Sequence, residues 1–261
     1  LMIAVGAILG AVLLVRARSD GERWLLVIYT AVMLFSMLVT GRRSAVMVLL
    51  VGTLTVGWLL LPKRPVLVVT AGMIALIGSA AYLSAYWDDN TGPLAQPARA
   101  VRSQVDPAAR DQSSDEYRKT ERDNLQRTIQ ENPVLGIGFG RPFTQFRPLP
   151  ELPFWPLQSY TPHQNLLWLW LKMGLAGVAV VLGLWVVGFA HCVRACRAVP
   201  RSREVPVAPI VLAAVLIMYI SYARVDLAII TTRSTVALAI ALALALRLPA
   251  HQPQPAEESR A

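Results

Sequence analysis

AVMVLLVGTLTVGWLLLPKRPVLVVTAGMIALIGSAAYLSAY, residues 45–86, holds two apolar runs parted by Pro62-Lys63-Arg64-Pro65. The runs are about 17 and about 21 residues long and carry no charge, the length at which a helix crosses a hydrocarbon core roughly 30 Å thick. A water-soluble domain needs charge to coat its surface. Across all 261 residues only 16% are charged and 55% are hydrophobic, against about 25% charged in a soluble domain. These figures exclude a soluble enzyme, a secreted disulfide scaffold and a disordered tail. The chain reads as an all-α polytopic membrane protein.

Working outward, apolar windows predict about seven transmembrane helices, at roughly 1–15, 24–40, 45–61, 65–86, 164–190, 206–223 and 228–246. They divide the chain into four N-terminal spans over 1–86, a long polar loop over 87–163 and three C-terminal spans over 164–248. A Pro-rich, disordered tail follows over 249–261. The chain opens inside an apolar run, Leu1 to Val15, and carries no cleavable signal peptide, so the first span reads as part of a longer protein. Arg16, Arg18 and Arg23, Lys63 and Arg64, then Arg194, Arg197, Arg201 and Arg203, with Arg247 and Arg260, fall on one side if all seven segments span. Basic short loops mark the cytoplasmic side, which puts the long loop in the periplasm or outside the cell.

The net charge of +9 fits that topology rather than nucleic acid. Between Trp87 and Pro162 stand nine Lys/Arg against ten Asp/Glu, so the excess lies in the short loops. Cys192 and Cys196, beside His191, lack further metal ligands close in sequence and read as small helix-end residues in a reducing compartment. No metal site and no cofactor is expected.

Four cations escape the orientation rule. Arg42 and Arg43 lie at the outer end of the second and third spans, and Arg224 and Arg233 at the outer end of the sixth and seventh. One reading is snorkelling to lipid phosphates. The other is a bound anion such as a diphosphate, which guanidinium groups grip through two parallel hydrogen bonds.

Within the loop, residues 113–132 read as an amphipathic helix with Ser113 and Glu116 as a capping box, ended by Asn132-Pro133. Tyr117, Leu125 and Ile129 share one face and Arg118 and Arg122 a neighbouring one. The two arginines either pair with Asp115 and Glu121 or face the membrane mouth. Gly136, Gly138 and Gly140 lack the strand and the Lys-Ser/Thr of a phosphate loop, which makes them a tight turn. The Pro-rich run 141–162 cannot be a continuous helix. It reads as a lid whose Phe154, Trp155 and Tyr160 sit at the interface or stack on sugars. His163 then opens the fifth span at the outer surface, where an imidazole is placed either structurally or to take a proton from a hydroxyl.

Three blocks in this order, TGRRSA (40–45), YRKTERDNLQRTIQENPVLGIGFG (117–140) and TPHQNLLWLWLKMGLAG (161–177), resemble the O-antigen ligase/polymerase family of bacterial envelope glycosyltransferases. The resemblance implies transfer of a glycan from an undecaprenyl-diphosphate-linked donor to an acceptor hydroxyl, outside the plasma (inner) membrane, without nucleotide sugar, metal or cofactor. By motif, Arg42 or Arg43 matches the membrane-side arginine that holds the diphosphate. Arg118, with Arg122 second, matches the outer-helix arginine, and His163 matches the acceptor-activating base. Glu121 stands where the family carries an aromatic, and Gln164 separates His163 from Asn165, which usually follow directly.

The expected reaction is an inverting transfer, because no carboxylate pair suited to a covalent intermediate is evident. Asp226 is expected to orient His163 or an arginine, or simply to pair with Arg224, with Asn165 as a further supporting residue. The expected partners are the lipid-linked donor, a glycan or lipid-linked acceptor and membrane lipids, with no nucleic acid. The rival readings are a non-enzymatic transporter or an assembly subunit with an anion-binding outer face. A transporter would carry ionisable groups at mid-depth. Lys172, about two turns into the fifth span, is the main one, placed to reach outward or to bind a phosphate.

Overall fold

The computed structural model describes residues 1–248 apart from 41, 90, 107–108 and 201–204. The expectations for the tail 249–261 and for Arg201, Arg203 and Arg260 lie outside the described residues. Among those described, the chain is all-helical, with nine helices and no strand. They are α1 (Met2–Leu14), α2 (Asp20–Val39), α3 (Arg43–Leu60), α4 (Pro65–Tyr86), α5 (Gly92–Arg102), α6 (Ala109–Glu131), α7 (Asn165–Ala198), α8 (Val207–Ala223) and α9 (Thr232–Leu246).

Local chemistry explains the boundaries. α2 opens on Asp20 and Glu22, acids that suit the positive end of a helix dipole. Proline stands in the first turn of α4, where its missing N–H costs nothing. Three helices, α3, α4 and α7, are long and apolar enough to cross a membrane; α1, α8 and α9 are apolar but shorter.

The core gathers around α8, whose Ile210, Ala213, Ala214, Leu216, Met218 and Tyr219 are all buried. α1, α3, α7 and α9 pack against it. Small residues set the spacing: a Cβ at Gly52 of α3 would stand 2.6 Å from the Met218 sulfur. Close approach of this kind lets apolar helices hold together by packing where lipid removes the hydrophobic drive. α4 differs, with no buried residue and its apolar side chains turned outward.

The charges sort to the two ends of the bundle. The Lys63 ammonium donates to the Val199 carbonyl, and the Arg197 guanidinium lies 5.9 Å from the centre of the Trp58 ring. Arg42, Arg43, Asp115 and Asp226 meet at the other end.

The structure departs from the sequence pattern at three places. The loop helix begins at Ala109, so Ser113 lies inside it and is not its cap. α5 was not expected at all; it opens on Gly92-Pro93, buries Ala95, Ala98 and Ala100, and packs against α2, α3 and α4. The fifth apolar run continues to Ala198 and is broken at Gly174.

Candidate active site

The break in α7 anchors the whole outer region. In an uninterrupted helix the Leu171 carbonyl would accept from the Leu175 N–H. Here it accepts from the Ile137 N–H at 2.7 Å, and the Leu175 N–H turns to the Pro133 and Val134 carbonyls, each at 3.1 Å. Gly174 makes this possible with φ 65° and ψ −174°, and Gly136 meets it with φ 69°. A Cβ at Gly174 would lie 2.0 Å from the Val134 carbonyl oxygen, and one at Gly136 would lie 2.6 Å from that of Leu171. The glycine-rich turn therefore docks backbone to backbone into a helix. The Trp170 indole adds a bond to the Pro133 carbonyl at 2.9 Å. Lys172 is buried, and its ammonium donates to the Arg141 carbonyl.

The Pro-rich strap over 141–162 has no helix or sheet to satisfy its backbone, so side chains do so. The Asn124 amide donates to the Arg147 carbonyl at 2.8 Å and accepts from the Arg147 N–H at 2.9 Å. The Thr144 N–H donates to the Thr128 hydroxyl at 3.2 Å. Beneath them Leu125 and Ile129 of α6, Phe143 and Leu149 of the strap and Leu171 of α7 form a separate small core. Phe154 and Tyr160 are exposed on the strap, whereas Trp155 turns inward.

This scaffold delivers His163 to α6. The Glu121 carboxylate accepts from the His163 backbone N–H at 3.0 Å and lies 3.2 Å from Nδ1 of its ring. Glu121 is fully buried, while the His163 side chain keeps 22% of its surface open. Trp155 stacks on the imidazole, centroids 5.9 Å apart at 28°, and Tyr117 meets it edge-on at 5.9 Å. The Trp155 indole is fixed by the Thr161 hydroxyl at 3.0 Å. Burial, with the Glu121 charge adding to it, pushes the Tyr117 phenol up to about 12.

Asn165 ties this segment to the link between α8 and α9. It donates to the Pro162 carbonyl at 3.2 Å and accepts from the Ile229 N–H at 2.7 Å. On that link Asp226 accepts from the Tyr222 hydroxyl at 2.9 Å and from the Leu227 N–H at 2.8 Å, with the Arg42 guanidinium at 3.9 Å. Of the alternatives for Asp226, the partner is an arginine, Arg42. It orients neither His163 nor Arg224, whose side chain makes no hydrogen bond or ion pair among the described residues.

Arg43 reaches α6, 3.2 Å from Asp115. Asp115, Arg118 and Arg122 follow one another at three- and four-residue spacing and so form one strip of the helix. The acids that the sequence offered as partners for Arg118 and Arg122 are thus engaged elsewhere. Asp115 holds Arg43 and Glu121 holds His163, and neither arginine's side chain makes an ion pair or hydrogen bond among the described residues.

The structure therefore joins Arg42 to Asp226, Arg43 to the strip that carries Arg118 and Arg122, and His163 to the same helix. Arg233 stands exposed in the first turn of α9, apart from these contacts. Sequence reasoning missed Glu121 as the partner of His163. Its signal was present: Tyr117, Glu121 and Leu125 recur every four residues, so an acid interrupts an otherwise apolar stripe.

No curated protein matches the chain. Residues 28–182 match the family described as O-Antigen ligase. That match covers more than half of the chain and takes in Arg42, Arg43, Arg118, Glu121 and His163. The protein is thus a member of the O-antigen ligase family.

Proposed function

We propose that the protein is a glycosyltransferase of the bacterial inner membrane that moves a glycan from undecaprenyl diphosphate to an acceptor hydroxyl at the outer face. In this reading α1, α2, α8 and α9 cross the membrane with α3, α4 and α7, and α5, α6 and the strap lie on the periplasmic or extracellular side. One observation carries the reading: Arg118 and Arg122 have no acidic partner among the described residues, on the helix that also holds the histidine. Cations left without counter-ions beside an imidazole suit a reaction with a doubly charged anionic leaving group and a hydroxyl to deprotonate.

The proposed step is a single displacement. His163 takes the proton from the acceptor O–H as the oxygen bonds to the anomeric carbon with inversion. The bond from that carbon to the diphosphate oxygen breaks, and the electron pair leaves with undecaprenyl diphosphate. Arg118 and Arg122, with Arg42 and Arg43, offset the charge that grows on the leaving group, a task that needs no metal. A placed base contributes about 10²–10⁴ in rate.

The test is glycan transfer in a strain lacking its own ligase or polymerase, scored by gel ladder with expression checked. Wild type is expected to restore glycan, His163→Ala to abolish it, and Arg118→Ala combined with Arg122→Ala to cut it by at least about tenfold. Transfer retained by His163→Ala would remove the histidine as base.

A further inference from the structure

We propose that Glu121 is a positioning residue for transfer: its buried carboxylate fixes the Nδ1–H tautomer of His163, leaving Nε2 to receive the acceptor's proton. The inference rests on the reading of His163 as the base.

The geometry selects the tautomer. One Glu121 oxygen is occupied by the His163 backbone N–H at 3.0 Å, and the other faces Nδ1 at 3.2 Å. A carboxylate only accepts hydrogen bonds. An unprotonated Nδ1 would set two acceptors against each other inside a site where Glu121 is 0% exposed. A buried carboxylate oxygen left without a donor is strongly disfavoured. The Nδ1–H form supplies the second donor, and the neutral ring then carries its lone pair on Nε2.

The surroundings allow little else. Trp155 lies along one face of the ring and Tyr117 meets it edge-on, which fixes the plane of the ring, and the Glu121 carboxylate at Nδ1 selects its orientation within that plane. The titratable groups packed against the imidazole are Glu121 and Tyr117, both from α6. The Tyr117 phenol is held neutral, its value near 12. Glu121 has both oxygens engaged and does not itself reach substrate. When Nε2 gains the acceptor's proton the ring becomes a cation, and the carboxylate already in place offsets that charge without rearrangement. A purely structural tie between α6 and the strap would use the backbone contact alone. The second contact, to the ring, is what couples Glu121 to chemistry.

The test joins a spectrum with kinetics. The sequence has three histidines, His163, His191 and His251, so ¹⁵N-histidine NMR in detergent can be assigned by single substitutions. Wild type is expected to show His163 as the Nδ1–H tautomer, and Glu121→Gln a shift toward Nε2–H. Glutamine keeps an oxygen for the His163 backbone N–H, so the fold should survive. In membrane vesicles holding undecaprenyl-diphosphate-linked glycan, Glu121→Gln should lower kcat by about 10²-fold or more. The donor KM should change less than about threefold, and Glu121→Asp should recover part of the rate. An Nε2–H signature in wild type overturns the proposal, as does Glu121→Gln turning over at the wild-type rate. The wild-type spectrum needs no variant to fold. If His163→Ala alone retains transfer, the base reading fails, and the spectrum still reports whether Glu121 sets the ring.

Discussion

Replacing Gly174 by alanine attacks the contact on which the outer region depends. An L-residue held at φ 65° and ψ −174°, a region essentially open only to glycine, carries about 1–3 kcal/mol of strain. The new methyl would also stand 2.0 Å from the Val134 carbonyl oxygen, closer than any atom pair tolerates. The turn over 132–140 must then withdraw. It gives up the Ile137 bond to Leu171 and the shared Leu175 bond to Pro133 and Val134, each contributing about 1 kcal/mol net. Straightening α7 restores one bond, between residues 171 and 175, and regains up to about 1 kcal/mol of helix propensity. Whichever way the chain relaxes, the docked state loses about 2–4 kcal/mol relative to the open one. At about 1.4 kcal/mol per tenfold, the Ile137 amide should exchange with deuterium from about 30-fold to almost 1000-fold faster. Peptide-resolved exchange in detergent reads this directly. Cys192 and Cys196 are buried, so thiol labelling on heating gives the melting temperature of the bundle alongside. Wild-type exchange at Ile137 in Gly174→Ala would refute the docking argument.

Two further outcomes follow from the same region. Tyr117 holds its proton up to about 12, against an ordinary value near 10, because burial and the Glu121 charge disfavour the phenolate. Its contribution to stability is therefore complete below about pH 10 and is lost as pH rises from there through about 12. The ultraviolet difference titration between wild type and Tyr117→Phe should isolate one late-titrating phenol; a difference centred near 10 would contradict the burial. Asn165→Ala strands the Ile229 N–H and frees the Pro162 carbonyl, at a cost of about 2–3 kcal/mol. A clear fall in melting temperature should accompany loss of transfer, and an unchanged melting temperature would show that the bond is not structural.

The apolar helices were legible because lipid imposes a simple rule on them. Runs such as 66–86 must close their backbone bonds internally, and composition reports that without knowledge of any neighbour. α5 was not legible, since its helix is short, interrupted by Pro97, and stabilised through Ala95 and Ala98 against helices distant in sequence. The residue types of the site could be read, but not their pairings. Asp115, Glu121 and Asp226 are each a plausible partner for several arginines, and local spacing favours the nearest. The long-range partners Arg43, His163 and Arg42 win because α6, the strap and the α8–α9 link are brought together by the docked turn and by Asn165. Gly136 and Gly174 show the same limit. Each is an unremarkable glycine alone, and only the pair explains the break.

The pairing pattern divides the four arginines by what donor binding would ask of them. Arg42 lies 3.9 Å from Asp226 with 69% of its side chain exposed, and Arg43 lies 3.2 Å from an Asp115 that is half exposed. Exposed pairs of this kind contribute about 0–1 kcal/mol, so they hold a guanidinium near its place without sealing it. Asp226 is also held by the Tyr222 hydroxyl and the Leu227 N–H, bonds that do not depend on Arg42. On the proposed function a diphosphate would displace these carboxylates from Arg42 and Arg43, which offsets part of what is gained on binding. Arg118 and Arg122 have no such partner to lose among the described residues. Only interactions that strengthen between bound donor and transition state raise kcat. Arginines already paired to carboxylates bind the ground state weakly and the leaving group more strongly as its charge grows. On the proposed function all four arginines offset the charge of the leaving group, and the unpaired Arg118 and Arg122 also favour capture of the donor because they give up no carboxylate.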